Sequence, residues 1–395
     1  MSTIAQVDEA VDQEYVATVG RIAKEAAAPN AVEVDREGRF PVETFDALKE
    51  AGALSALVPT DLGGAGVSLR AVSQACLLLG RACGSSGLIF AMHHIQVATL
   101  VRHREPGSWF DGHLRSVVSE QRLIASVTSE VGTGGNMGMS IAAAEYQGDG
   151  TVTFEKQAPT VSYGEHADDL LITLRRGADA DGSDQVLVLA DREQRRMELT
   201  GTWDPLGMRG TCSPGFVVRG TVPEEQVLTT AFAIVSSASM VPISHVLWSH
   251  VWLGIATEAF ERARAFVRAS ARRKPGEALP IANELSKVLG ELNLLRAEVR
   301  SALTEFLEIA DEPDYEQLGR LGVQLRFNTL KTATSTQAPR VCQDAMAVCG
   351  IVGFKNDTPF SIGRQLRDAM SGCLMVANDR IHETNASLLL IAKEV

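Results

Sequence analysis

The chain has little that would suit it to nucleic acid. Its 395 residues hold 37 Lys and Arg against 49 Asp and Glu, a formal net charge of −12. Phosphate backbones are gripped by concentrated cations, so this balance excludes nucleic acid as the main partner. No cysteines are spaced C-x-x-C. Cys76, Cys83, Cys212, Cys342, Cys349 and Cys373 are scattered among apolar neighbours and read as reduced core thiols. The eight histidines form no H-x-x-x-H and join no cysteine cluster, so no metal is expected. No apolar run reads as long enough to span a bilayer. The polar, acidic start M-S-T-I-A-Q-V-D-E-A shows no signal peptide. The expectation is a soluble, cytoplasmic protein with neither nucleic acid nor membrane as partner. Internal repeats and low-complexity segments are also missing.

What is present falls into three stretches. With 45% hydrophobic residues the chain can bury a sizeable core. Residues 1–122 carry helical periodicity. An Ala/Glu/Asp-rich helix is expected to end at Pro29, and a second follows on Val42, Phe45 and Leu48. After the turn-rich 58–66, Ser68 is placed to cap a long apolar helix. Gly84-Ser85-Ser86-Gly87 is expected to break it before another helix bearing His93 and His94. Residues 123–228 turn β-branched, with strands expected at 151–154, 170–174, 185–189, 197–200 and 216–218. Strands at such short intervals, without helices between them, describe a small barrel or sandwich. Residues 229–395 return to helix, at 243–270, 280–310, 315–350 and from about 362 with an interruption near Asn378, as in a four-helix bundle. The fold class is mainly α with a central β domain.

At the start of the β stretch, residues 126–136 read S-V-T-S-E-V-G-T-G-G-N after the apolar Leu123-Ile124-Ala125. Glycines let the backbone turn tightly and approach a ligand. Free N–H groups beside hydroxyls suit a phosphate or another electron-rich group. The spacing is neither G-x-G-x-x-G nor G-K-[ST], and a plain turn meets the same pattern.

Four pieces occur in order along the chain. They are Phe40-Pro41 with Val58-Pro59 and Gly63-Gly64-Ala65-Gly66, the loop at 128–136, Leu206-Gly207-Met208-Arg209-Gly210-Thr211, and Leu366-Arg367-Asp368-Ala369. Together they resemble the acyl-CoA dehydrogenase superfamily over essentially the whole chain. The resemblance implies FAD held between the β domain and the C-terminal bundle, in a homotetramer or homodimer whose neighbouring subunit completes the site. It places Thr128 and Ser129 on the pyrimidine edge of the isoalloxazine. Gly134 and Gly135 fall in the pyrophosphate turn, Gly135 where a serine is usual. Ser162, in Thr160-Val161-Ser162, replaces the threonine that flanks flavin N5. Arg272 matches an arginine that reaches a neighbour's FAD, although Pro275 stands where an aromatic is usual. Gly350 and Gly353 keep the outer positions of a G-G-N-G turn near the adenosine.

The resemblance also shows what is absent. A dehydrogenase of this kind removes the α-proton of a thioester with a glutamate while hydride passes to the flavin, so a carboxylate within reach is required. The two places where the family supplies it fall at Val376 and at about Ser244. Neither is acidic, and serine is too weak a base unaided. One reading is a dehydrogenase with a relocated base, Asp379 or Glu165. Another is an oxygenase of the same fold. It would take reduced FAD (FADH2) from a separate flavin reductase, form a C4a-hydroperoxide with O2 and hydroxylate a small apolar or aromatic substrate. The segment R-D-A-M-S-G-C-L-M-V-A-N-D resembles that branch, in particular bacterial hydroxylases of indole and indole-bearing terpenoids. A third is a non-catalytic flavin- or acyl-binding relative. The oxygenase is the reading favoured by the sequence.

Side chains follow from that choice. The resemblance puts a histidine on the second N-terminal helix facing the flavin, and His94 is preferred over His93 as the group that would hold an oxygen adduct or position a substrate. Ser129 and Asp379 complete the candidate catalytic set. Trp248, Trp252, Met375 and Val376 are candidate pocket walls and are equally at home in a bundle core. His166 is expected on a surface loop, and His245 stands where dehydrogenases commonly have an arginine.

Overall fold

The computed structural model describes residues 9–273, 280–310 and 315–393. Met1–Asp8, the basic stretch from Lys274 through Pro275 and Gly276, and the last two residues lie outside that description. Helices α1 (Glu9–Ile22) and α2 (Ala28–Glu37) run as one rod through a π-turn, Ala23–Ala27. Pro29 therefore does not end the first helix. It sits in the first turn of α2, where a proline's missing N–H and fixed φ are tolerated.

Helices α3 (Val42–Glu50), α4 (Leu69–Ala82), α5 (Gly84–His103) and α6 (Trp109–Glu120) complete the N-terminal part. Ser68 caps α4 as expected, its Oγ accepting from the Ala71 amide at 3.2 Å. The break before α5 is one extended residue, Cys83, and not the four residues after it. Gly84 and Gly87 serve packing. A Cβ on Gly87 would lie 2.7 Å from the Gly80 nitrogen, and one on Gly84 would lie 2.8 Å from the Asp368 carboxylate.

Eight strands follow: β1 (Ile124–Val127), β2 (Glu145–Tyr146), β3 (Thr151–Ala158), β4 (Asp169–Arg175), β5 (Gln185–Asp191), β6 (Arg195–Leu199), β7 (Phe216–Pro223) and β8 (Val227–Leu228). All five expected strands are present with shifted ends. They form two four-stranded sheets, ordered β1-β4-β5-β8 and β2-β3-β7-β6. The β1–β4 pair is parallel, with Ile124 opposite Asp169, and the other pairs are antiparallel. In β4 and β5 the first six residues are all buried, as a strand covered on both faces requires.

The C-terminal part opens with α7 (Phe232–Val235) and a π-turn, Ser236–Met240, leading into α8 (Val241–Arg273). Helices α9 (Pro280–Ala310) and α10 (Leu321–Cys349) pack against α8. The fourth position of the bundle is broken. After α11 (Ile351–Phe354), helices α12 (Gly363–Met370) and α13 (Asn378–Leu389) share it, separated by a turn at 371–377. Helix α8 also packs on α4, so one apolar core runs from Val19 to Ala369. Contrary to the sequence expectation, Phe232–Arg273 is long and apolar enough to cross a membrane by length and composition. Its apolar window is 67% buried inside the protein, as a core helix would be.

Two of the motifs behind the resemblance meet at one junction. The Met208 amide donates to Asp368 Oδ1 at 2.7 Å, and Arg367 donates to the Leu206 carbonyl at 2.8 Å. Arg367 also pairs with Asp35 on α2, and Arg209 Nε donates to the Asp35 carbonyl at 2.8 Å. A Cβ on Gly207 would come within 2.1 Å of the Arg367 carbonyl oxygen, so no other residue fits there. The segment 206–211 thus ties the β sheets to α2 and α12.

Candidate functional site

A cavity of about 570 Å³ opens between the loop after β1, the start of α8, α10 and α13. Its β-sheet side carries Ser126, Thr128, Ser129, Gly135, Asn136, Thr160 and Ser162. Its helical side carries Met92, Ile95 and Gln96 of α5, Ser244, His245 and Trp248 of α8, Phe327 and Asn328 of α10, and Val376. Arg380, Glu383 and Thr384 of α13 also line it.

The loop is held from beneath by a buried ion pair. Lys156 Nζ lies 3.2 Å from Glu130 Oε2 and donates to the carbonyl and hydroxyl of Thr173 at 2.6 and 2.8 Å. Glu130 also accepts from the Ala142 amide at 2.6 Å and from Ser140 Oγ at 2.7 Å. Burial pulls the Lys156 pKa down to about 8, opposed by the adjacent carboxylate. Glu130 is therefore a staple for the loop. Lys156 is a residue that sequence reasoning passed over, because a lone lysine in a strand pattern carries no signal of burial.

Above that staple the backbone turns through Gly132, Gly134 and Gly135, with φ of 94°, 60° and 82°. The amides of Gly134 and Gly135 donate to nothing among the described residues. A Cβ built on Gly134 would lie 3.3 Å from the guanidinium of Arg380, and one on Gly135 would lie 3.6 Å from it. Arg380 forms no ion pair among the described residues. Two free amides under an unpaired guanidinium make a concavity suited to an anion. Arg380 was also passed over. It lies far along the chain, and only the turn before α13 brings it to the loop.

The expected flavin edge is assembled in part. Ser129 Oγ donates to the Thr160 carbonyl at 2.7 Å, and Ser162 accepts from Ser213 Oγ at 2.9 Å. Both line the cavity with Thr128 and Gly135, whereas Gly134 sits beside it under Arg380. Arg272, exposed near the end of α8, and Gly350 and Gly353 beyond α10 are not among its lining residues.

The histidine expectation is corrected. On α5 the residues that line the cavity are Met92, Ile95 and Gln96, and His94 points into the core. Its ring packs edge-on against Phe90 and His93, at 4.4 and 5.0 Å between centroids. Burial pushes its pKa well below the ordinary value. His93 bridges the Leu54 carbonyl at 2.7 Å and the Ile124 amide at 3.1 Å, tying α5 to β1. At about 100° per residue, 92, 95 and 96 cluster on one face of α5, and 94 falls on the opposite face.

Other candidates divide similarly. Trp248 and Val376 line the cavity, whereas Trp252 is fully buried behind Trp248 and Met375 is not among the lining residues. Asp379 is exposed in the first turn of α13 and does not line the cavity, and Glu165 is exposed elsewhere. His166 stacks on Phe40 at 4.1 Å on an exposed loop, as expected. The acidic lining residue is instead Glu383, one turn beyond Asp379 and solvent-exposed.

His245 is the histidine at the site. Its Nδ1 lies 3.0 Å from the Phe327 carbonyl. Burial, with the Lys331 charge, pushes its pKa down to about 3, so the ring is neutral near pH 7. Trp248 stands 6.1 Å away between ring centroids, and its Nε1 has no partner.

Comparison with known proteins bears on the fold. Residues 10–104 match the family of acyl-CoA dehydrogenase N-terminal domains. The amino sugar nitrososynthase DnmZ of Streptomyces peucetius is 25% identical over 86% of this chain and 84% of its own. The probable acyl-CoA dehydrogenase YngJ of Bacillus subtilis is 24% identical over 88% and 89%. Among solved structures, KijD3 in complex with dTDP superposes with a TM-score of 0.84 at 23% identity, covering 98% of this chain and 100% of that one. The dibenzothiophene monooxygenase TdsC of Paenibacillus sp. A11-2 superposes with a TM-score of 0.80 at 22% identity, covering 96% and 97%. TdsC has also been crystallised with FMN and indole. Residues 10–104 thus carry an acyl-CoA dehydrogenase N-terminal domain, and the rest of the chain completes the acyl-CoA dehydrogenase fold.

Proposed function

We propose that the protein is a flavin-dependent monooxygenase that hydroxylates a small apolar, aromatic substrate. One observation carries the reading: Val376 and Ser244, the two positions where a dehydrogenase of this fold would keep its carboxylate, both line the cavity and are both uncharged. Ser244 Oγ is turned back onto the Met240 carbonyl at 2.5 Å, which removes it further from base chemistry.

The residues present fit a flavin. Thr128, Ser129 and Ser162 would meet its pyrimidine edge, and the Gly134 and Gly135 amides with Arg380 would hold the phosphate nearest the ring, which FAD and FMN share. A reduced flavin, supplied through a separate reductase, brings the two electrons with which one O2 atom enters the product and the other leaves as water. The protein's part is to bind and to keep water out. Met92, Ile95, Trp248, Phe327 and Val376 give the substrate side an apolar lining suited to both tasks. Arg272 and the Gly350–Gly353 turn, away from this cavity, are assigned to a flavin on a neighbouring subunit of a homo-oligomer.

A second reading has one observation in its favour. Glu383 reaches the rim of the cavity and could serve a dehydrogenase as its base. The two readings separate in one pair of experiments. Protein with FADH2 from a reductase, O2 and indole is expected to give an oxygenated product. Anaerobic acyl-CoA is expected to leave bound FAD yellow. Bleaching of that flavin, lost again in Glu383→Gln, would establish dehydrogenation instead.

A further inference from the structure

Building on the reading above of a ring-bearing substrate, we propose that His245 Nε2 is a specificity-determining acceptor, so that the cavity selects apolar ring compounds presenting an N–H or O–H. A carbonyl oxygen can only accept, so the 3.0 Å contact with Phe327 places the ring hydrogen on Nδ1. The neutral ring then keeps a lone pair on Nε2. That nitrogen has no hydrogen-bond partner among the described residues. His245 is only 3% exposed, and it lines the cavity.

A second acceptor points the same way from another helix. The Gln96 amide donates from Nε2 to the Met92 carbonyl at 3.3 Å, which identifies the end of the side chain that carries nitrogen. Its Oε1 is buried without a partner, on a side chain 3% exposed that also lines the cavity. A buried acceptor left unpaired, such as Gln96 Oε1, is rare and costly, and a ligand donor would satisfy it. A site built around such a bond discriminates strongly against an analogue that lacks it. Of the ring systems associated with TdsC, dibenzothiophene offers no donor and indole offers one.

The test is isothermal calorimetry on the full chain, with and without FAD, using indole, 1-methylindole and benzothiophene. These rings are near in shape, and only indole carries the donor. Indole is expected to bind about tenfold or more tightly than either analogue, the worth of one buried hydrogen bond. His245→Phe is expected to bring indole down to the level of 1-methylindole while benzothiophene stays within about twofold. His245→Gln, which keeps an acceptor, is expected to retain part of the preference. Equal binding of all three rings by the wild type, or an undiminished preference in His245→Phe, overturns the proposal alone. If no ring binds, or dTDP binds in their place, the aromatic-substrate reading fails and the proposal falls with it.

Discussion

Lys331, buried within α10, donates to the backbone carbonyl of Val376 at 2.8 Å and to Asn378 Oδ1 at 2.7 Å, and no carboxylate lies within ion-pair distance of it among the described residues. Val376 itself has a φ of 45°. A β-branched residue in the left-handed region is strained and persists only where its surroundings hold it. The buried ammonium supplies that hold. It keeps the turn at 371–377 in the shape that sets valine, and not a carboxylate, against the cavity.

Burial lowers the Lys331 pKa from 10.5 to about 8, so the folded state binds this proton less tightly than the unfolded chain. The penalty is complete below pH 8 and fades as pH rises from 8 to 10.5. Wild-type stability should therefore gain on that of Lys331→Met by about 2 kcal/mol between pH 7 and 10. Paired denaturant titrations across that range measure it. A constant difference would mean that Lys331 titrates normally.

Asp368 is expected to act in the acid range. Burial raises its pKa to about 6, against the pull of Arg364 and the Met208 amide. The folded state then binds the proton more tightly than the unfolded chain between pH 4 and 6, so stability falls as pH rises through that window. Asp368→Asn keeps an acceptor for the Met208 amide and has no charge to bury. Relative to this variant the wild type should lose about 2 kcal/mol from pH 4 to 6, read by denaturant midpoints at each pH.

Element order and strand positions were legible in the sequence because they rest on local periodicity and composition. The departures came where neighbours override local signals. Pro29 is accommodated by a π-turn, and Gly84 and Gly87 are small because Asp368 and Gly80 lie against them. The loop at 126–136 and the uncharged positions 376 and 244 were legible through motif spacing. The side chains completing the site were not. Lys156, Lys331 and Arg380 look like ordinary surface cations until the fold buries the first two and sets the third over the loop. The choice of His94 failed for a related reason. Helical phase decides which residue faces the cavity, and one step along α5 separates His94 from Ile95.

Arg380 gives the sharpest check on the anion site. Its guanidinium is unpaired and lies over the Gly134 and Gly135 amides, so a phosphate there would gain a charge-assisted hydrogen bond. Such bonds contribute about 1.5–3 kcal/mol, which corresponds to roughly ten- to a hundredfold in affinity. Arg380→Gln should therefore weaken FAD and FMN binding by that factor. Riboflavin, which has the same ring and no phosphate, should bind wild type and variant alike. Fluorescence quenching of the three flavins measures all six constants. The loss should also shrink as salt rises, because the guanidinium is exposed and its attraction is screened. If riboflavin loses as much as FMN, Arg380 acts on the ring or on the fold, and the phosphate must be held elsewhere.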